Sequence, residues 1–207
     1  MTRAVVVTGT DTGIGKTVFA AGLAAVLGAP YWKPVQAGMY PASDTEVATM
    51  LGVRVLPEAY RLATPASPHL AARIDGVAID PERLALPQVD GSLVVEGAGG
   101  VLVPLTESLL YADMFATWQA PVILCARTGL GTINHSLLSI EALRARGVPL
   151  LGVAFIGDAH EENEHIVPLI GKIASLGRLP MLEKITADTL AQAMREHIDL
   201  ATIKAAL

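Results

Sequence analysis

The chain has 207 residues, of which 52% are hydrophobic and 17% charged, and carries a formal net charge of −5. That composition excludes disorder, and an acidic chain without a basic block argues against a nucleic-acid partner, which requires clustered Lys and Arg to neutralise phosphates. One cysteine cannot form an internal disulfide, and "MTRAVVVTG" lacks the long apolar run of a signal peptide, so a cytoplasmic protein is expected.

Residues Ala4–Val7 are a short β-branched run and predict a buried strand. Lys16–Leu27 is rich in Ala and Leu and predicts a helix. The longest uncharged stretch, Thr17 to Trp32, contains Gly22, Gly28 and Pro30, which suits a buried helix followed by a strand and not a membrane span. Tyr31–Val35 predicts a second strand, and Asp44–Leu51 a helix capped by Ser43 or Asp44. Prolines 57, 65, 68, 81 and 87 break the next segment into short helices and loops. Ser92–Glu96 and Pro121–Ala126 predict strands, Thr132–Arg146 an amphipathic helix, and Leu150–Ile156 a strand. A helix over Asn163–Ser175, a short strand over Arg178–Met181 and helix over Thr186–Ala206 complete the pattern. Strands alternating with helices imply right-handed crossovers and a mostly parallel sheet with helices on both faces. No linker or repeat interrupts residues 1–207, which read as a single domain.

Gly9-Thr10-Asp11-Thr12-Gly13-Ile14-Gly15-Lys16-Thr17 leaves the first predicted strand and enters the first predicted helix. That is the setting a phosphate-binding loop requires. Backbone N–H groups of a glycine-rich loop turn inward toward phosphate oxygens, and the helix N-terminus adds partial positive charge. Lys16 offers a full charge to the β- and γ-phosphates, and Thr17 a hydroxyl to Mg²⁺. Five residues separate Gly9 from Gly15, one more than the standard spacing. The fold class is therefore α/β of the P-loop nucleoside triphosphatase kind. The loop points to a nucleoside triphosphate without saying what becomes of it.

Further stations follow in order: "KPVQAG" at Lys33–Gly38, "SD" at Ser43–Asp44, "PASPH" at Pro65–His69, "VVEGAGG" at Val94–Gly100 and "GTINH" at Gly131–His135. Together with the loop they resemble the dethiobiotin synthetases, from the first strand to about Gly157. The resemblance implies a homodimeric, ATP- and Mg²⁺-dependent ligase of biotin biosynthesis. Such an enzyme closes a cyclic urea on 7,8-diaminononanoate with CO₂, with the substrate site at the subunit interface. It implies Lys16 and Lys33 as catalytic, and Asp11 to Thr17 (Asp11, Thr12, Gly13, Ile14, Gly15, Lys16, Thr17) with Leu179, Pro180 and Met181 around the nucleotide. It further implies Thr10, Lys33, Ala37, Glu96, Gly97, Ala98 and Gly99 around the diamine. Gly131, Thr132, Ile133 and Asn134 would hold its far carboxylate across the interface, and Thr17, Asp44 and Glu96 the metal.

Bland readings stand beside these. Lys33 at a strand end is also an ordinary solvated lysine, Asp44 an ordinary helix cap and Gly131–Asn134 an ordinary helix start. Glu96 is less easily dismissed, because a carboxylate ending an apolar strand is costly unless paired. His69 and His135 receive no proton-transfer role, no zinc-ligand spacing occurs, and Cys125 reads as core. Three positions depart from the family pattern. Gly13 stands where many members are acidic, Ala37 where many carry a hydroxyl, and Ile156 where an asparagine contacts the purine edge. Ile156 forms no hydrogen bond, so relaxed nucleotide choice, with GTP or CTP accepted, is expected. A nucleotide-driven partitioning switch and an amide ligase of the cobyrinate type fit less well. The first lacks a basic amphipathic tail here, and the second a glutaminase domain.

Overall fold

The computed structural model describes residues 2–207. In chain order the elements are β1 (Arg3–Gly9), α1 (Lys16–Leu27), β2 (Tyr31–Trp32), β3 (Val35–Ala37), α2 (Asp44–Met50), β4 (Val55–Leu56), β5 (Tyr60–Leu62) and α3 (Pro68–Ile74). A 3₁₀ turn at Pro81–Leu84 precedes β6 (Ser92–Glu96). There follow α4 (Tyr111–Trp118), β7 (Val122–Arg127), α5 (Thr132–Arg144), β8 (Leu150–Ile156), α6 (Glu161–Gly171), β9 (Ser175–Leu179), α7 (Ala187–His197) and α8 (Leu200–Ala205).

Seven strands form one parallel sheet in the order β4-β2-β6-β1-β7-β8-β9, while β3 and β5 pair separately. Strand alternation divides the apolar residues between two cores. Ala4 and Val6 pack with Ala71, Phe115, Ile140 and Val167 from α3, α4, α5 and α6. Val5 and Val7 pack with Phe19, Ala48, Leu190 and Ile203 from α1, α2, α7 and α8. Burial on both faces accounts for the near-continuous apolar strands and for the high hydrophobic content. Strand β1 lies between β6 and β7, so the chain departs to either side of it, and the crevice beyond its C-terminal end is where an open parallel sheet takes its ligand.

Several expectations are corrected. The strand expected over Tyr31–Val35 is two strands in different sheets, because Pro34 has no N–H to continue the ladder. Strand β9 starts at Ser175 and ends at Leu179, where Pro180 interrupts it, so the expected Arg178–Met181 strand is shifted. Helix α6 stops at Gly171, with Lys172 in the left-handed region. The helix expected over Thr186–Ala206 breaks at Ile198, which is extended and bridges Gly177, and Asp199 then caps α8. Helix α4 lies where no element was expected. It is short, and Asp113 from inside the helix accepts the Leu110 N–H in place of a capping residue before it.

Candidate active site

The glycine loop joins β1 to α1 without regular structure. Gly15 ends it with φ 92° as the N-cap of α1. A Cβ there would lie 3.0 Å from Ile156 Cγ2, so glycine is required both by conformation and by the approach of β8. Lys16 is buried, and its Nζ donates to the Asp11 carbonyl at 2.5 Å, drawing the side chain back across its own loop. Burial pushes the Lys16 ammonium below its ordinary value; the Glu96 charge opposes this and the Lys33 charge adds to it.

A charge cluster lies beside the loop at the ends of β2 and β6. In the ladder Tyr31 faces Val94 and Trp32 faces Val95, so the next residues, Lys33 and Glu96, are neighbours. Lys33 Nζ is 2.6 Å from Asp44 Oδ2 and 2.9 Å from Glu96 Oε1, and donates to the Gly97 carbonyl at 3.3 Å. The Thr17 hydroxyl donates toward Asp44 Oδ1 at 2.9 Å and Glu96 Oε1 at 3.0 Å. Glu96 is 1% exposed and Lys33 3% exposed, so the reading of Lys33 as a solvated lysine is excluded. Burial pushes Lys33 down, but Glu96 and Asp44 outweigh it and hold it above its ordinary value.

Asp44 is not the helix cap. Ser43 is, in a reciprocal box: its hydroxyl accepts the Glu46 N–H and Glu46 Oε2 accepts the Ser43 N–H. With the capping done by Ser43, the Asp44 carboxylate in the first turn of α2 is left for Thr17 and Lys33. Burial raises the Asp44 carboxyl, and the Lys33 charge with the Lys33 and Thr17 hydrogen bonds lowers it by more, so it lies below its ordinary value.

A cavity of about 620 Å³ opens here, and its walls include Thr12, Gly13, Gly15, Lys16, Thr17, Lys33, Ala37, Asp44, Glu96, Ala98 and Gly99. Pro65, Ala66, Ser67 and Pro68 close one side. A second pocket of about 380 Å³ shares Thr12 and Val103 with the first and adds Thr10, Asp11 and His135. Ile14 turns into the core instead, as does Leu179, whose carbonyl accepts the Gly157 N–H. Pro180 and Met181 line neither pocket, and neither do Gly131, Thr132, Ile133 and Asn134, although α5 brings His135 and Leu138 to the second.

Two residues that sequence reasoning passed over support the cluster. Tyr31 donates from its hydroxyl to Glu96 Oε2 at 2.7 Å, and Gln36 Oε1 accepts the Asp44 N–H at 3.1 Å. Tyr31 and Lys33 stand two apart across a strand end, and that spacing was the available signal. Among the described residues no three His, Cys, Asp or Glu side chains gather as a metal cage. Two carboxylates and a hydroxyl would instead suit a hard cation that shares its shell with phosphates and water.

A family model described as an AAA domain matches residues 3–189. The ATP-dependent dethiobiotin synthetase BioD of Rhodopseudomonas palustris (strain HaA2) is 64% identical over 203 residues, covering 96% of this chain and 95% of that protein. The protein of the same name from Sphingopyxis alaskensis is 60% identical over 205 residues, covering 99% and 100%. Among solved structures, a ParA family ATPase from Chlorobium tepidum superposes with a TM-score of 0.56 at 11% identity, covering 99% of this chain and 92% of that one. The Pyrococcus furiosus cell division ATPase MinD gives 0.54 at 16% identity, covering 95% and 99%. These two likenesses concern the fold alone.

Proposed function

The chain belongs to the ATP-dependent dethiobiotin synthetases, and on that premise we propose that its cavity closes a cyclic urea on 7,8-diaminononanoate with CO₂, releasing ADP and phosphate. The observation that carries this reading is the meeting of Lys16, Thr17, Lys33, Asp44 and Glu96 on one cavity beside the glycine loop.

Backbone groups of Asp11 to Thr17 and the start of α1 bind the triphosphate, and Lys16 swings from the Asp11 carbonyl to the γ-phosphate. Mg²⁺ fits the oxygens of Thr17, Asp44 and Glu96 and, when bound, neutralises charge on the phosphates. The diamine lies along Thr10, Lys33, Ala37 and Glu96 to Gly99. One neutral amine takes up CO₂ as a carbamate and gives up a proton to solvent; the carbamate oxygen attacks the γ-phosphorus in line, breaking its bond to the bridging oxygen so that ADP leaves. The second neutral amine then attacks the carbamoyl carbon, expels phosphate and gives up its proton to solvent or the departing phosphate. Lys33, a full cation in a dry site, stabilises the negative charge of carbamate and migrating phosphoryl group, and no covalent intermediate with the protein is needed.

We assign the far carboxylate of the diamine to Gly131–Asn134 of a second protomer. Leu102, Leu130 and Leu138 are 48%, 99% and 56% exposed, and Leu102 and Leu138 border the second pocket, which supports apolar pairing on that side. The base is assigned to Leu179, Pro180 and Met181, by backbone and apolar contact. Gly157 has its N–H on the Leu179 carbonyl and its own carbonyl on Arg178, and Ile156 offers no polar atom, so discrimination between ATP, GTP and CTP is weak. No helix among the described residues is long and apolar enough to cross a membrane.

The test is phosphate release on adding 7,8-diaminononanoate and bicarbonate to the enzyme with Mg²⁺-ATP. Release well above that with ATP alone is expected, and no increase overturns the reading. Replacing ATP by CTP tests base choice separately. A preference for ATP of several hundredfold excludes relaxed recognition.

A further inference from the structure

Tyr31 is fully buried and belongs to the same apolar core as Val94, Phe19 and Ala20. A phenylalanine would fill the same volume, so packing does not explain the hydroxyl, which is costly in an apolar core unless it is bonded. Its partner is Glu96 Oε2, at 2.7 Å, a charge-assisted contact between two groups closed to solvent. The other oxygen, Oε1, meets Lys33 at 2.9 Å and Thr17 at 3.0 Å, both of which line the cavity. The two oxygens of one carboxylate are therefore divided between core and cavity.

We propose that Tyr31 is a positioning residue which, by holding Glu96 Oε2 from beneath, fixes the carboxylate so that Oε1 alone is presented to the divalent cation. This rests on the reading of Glu96 as a metal ligand. Without the hydroxyl, Oε2 loses the one core-side donor it has among the described residues and the carboxylate turns to find another, away from the geometry a small hard cation demands. The effect falls on cation affinity, and nucleotide binding without metal is spared.

The experiment is calorimetric titration of Mn²⁺, standing in for Mg²⁺, into the full chain saturated with a non-hydrolysable ATP analogue. It compares the parent, Tyr31→Phe, Glu96→Gln and the double variant. The expected result is weakening of Mn²⁺ by roughly 10-fold in Tyr31→Phe, as for other groups that orient metal ligands. Glu96→Gln should weaken it further and the double variant should match Glu96→Gln, because Tyr31 acts only through Glu96. Parent-like affinity in Tyr31→Phe beside a weakened Glu96→Gln overturns the proposal and leaves Glu96 a ligand. Parent-like affinity in both removes Glu96 from the metal site and the proposal with it. Losses that multiply in the double variant make Tyr31 a packing residue and also overturn it. Should Tyr31→Phe alone fail to fold, a folded double variant, in which no carboxylate is orphaned, supports the coupling. Failure of both to fold overturns it.

Discussion

Lys33 and Asp44 meet at 2.6 Å although one follows strand β2 and the other begins helix α2. The contact joins the C-terminal end of β2 to the first turn of α2, and together with the larger effect of Glu96 on Lys33 it favours the charged forms of both partners. Lys33 is held above its ordinary value against the effect of burial, and Asp44 is held below its own. Lys33 is thus a permanent positive charge at working pH. In the proposed chemistry it would serve charge stabilisation and not proton transfer.

Lys33→Ala is expected to lower kcat by roughly 10²–10³, the loss seen when one charge-stabilising donor is removed from a dry site. ATP affinity in equilibrium titration should stay within a few-fold of the parent. The variant also leaves Glu96 buried without its cation, and breaking such a pair costs about 3 kcal/mol or more. Urea unfolding should register that loss. Equal losses of turnover and nucleotide binding would remove Lys33 from the chemical step.

Asp44→Asn removes one carboxylate charge from the donor set but keeps an oxygen and the volume. The Mg²⁺ concentration giving half-maximal activity should rise by about 10-fold or more, and saturating Mg²⁺ should restore a substantial part of the rate. Chelation by EDTA should abolish turnover in both parent and variant. An unchanged Mg²⁺ requirement would leave Asp44 as a partner of Lys33 only.

Much of this site was legible in the sequence because its parts follow strong local rules. A β-branched run, a glycine loop and an Ala-rich helix specify β1, the phosphate loop and α1 with little help from elsewhere. Glu96 announced itself as a charge closing an apolar strand. Asp44 was ambiguous because Ser43 and Asp44 are both good caps, and only the reciprocal contact of Ser43 with Glu46 decides between them. Helix α4 was missed because Asp113, which caps Leu110 and meets Arg146 at 2.7 Å, acts from within the helix and across to the turn just after α5. Gln36 reaches Asp44 only eight residues on, whereas the support from Tyr31 depends on β2 lying beside β6, and its spacing from Lys33 gains meaning only once that pairing is known. No window of sequence contains that information.

The wall formed by Pro65–Pro68 is anchored by Asp75 at the end of α3. Its carboxylate accepts the Thr64 hydroxyl at 2.6 Å and the Ala63 and Thr64 N–H groups at 2.6 and 3.3 Å. These bonds, that from the Thr64 side chain first, lower the Asp75 carboxyl below its ordinary 3.8. A lowered carboxyl contributes stability that is complete above the unfolded value and is lost as pH falls through the folded one. Asp75→Asn should therefore lower the urea midpoint by a constant amount at pH values above about 5, and the gap should narrow as pH falls below the ordinary 3.8. A gap independent of pH would mean that the asparagine fails sterically and not by charge.

Ile156 ends β8 against Gly15 and is 9% exposed. An amide at that position enters an apolar layer, and the backbone groups of the next residue are already engaged, the Gly157 N–H by Leu179 and the Gly157 carbonyl by Arg178. In the free protein Ile156→Asn should cost about 1–3 kcal/mol, which corresponds to a fall in melting temperature of about 2–12 °C for a chain of this size. A purine edge gives the amide the partner it lacks, so ATP should raise the melting temperature of the variant by more than it raises that of the parent. CTP should not. The ratio of kcat/KM for ATP over CTP should rise by about 10-fold, the worth of one hydrogen bond to a group that is otherwise left unpaired. A destabilised variant with an unchanged ratio would show that position 156 governs only the packing under the phosphate loop, and that the base is read elsewhere.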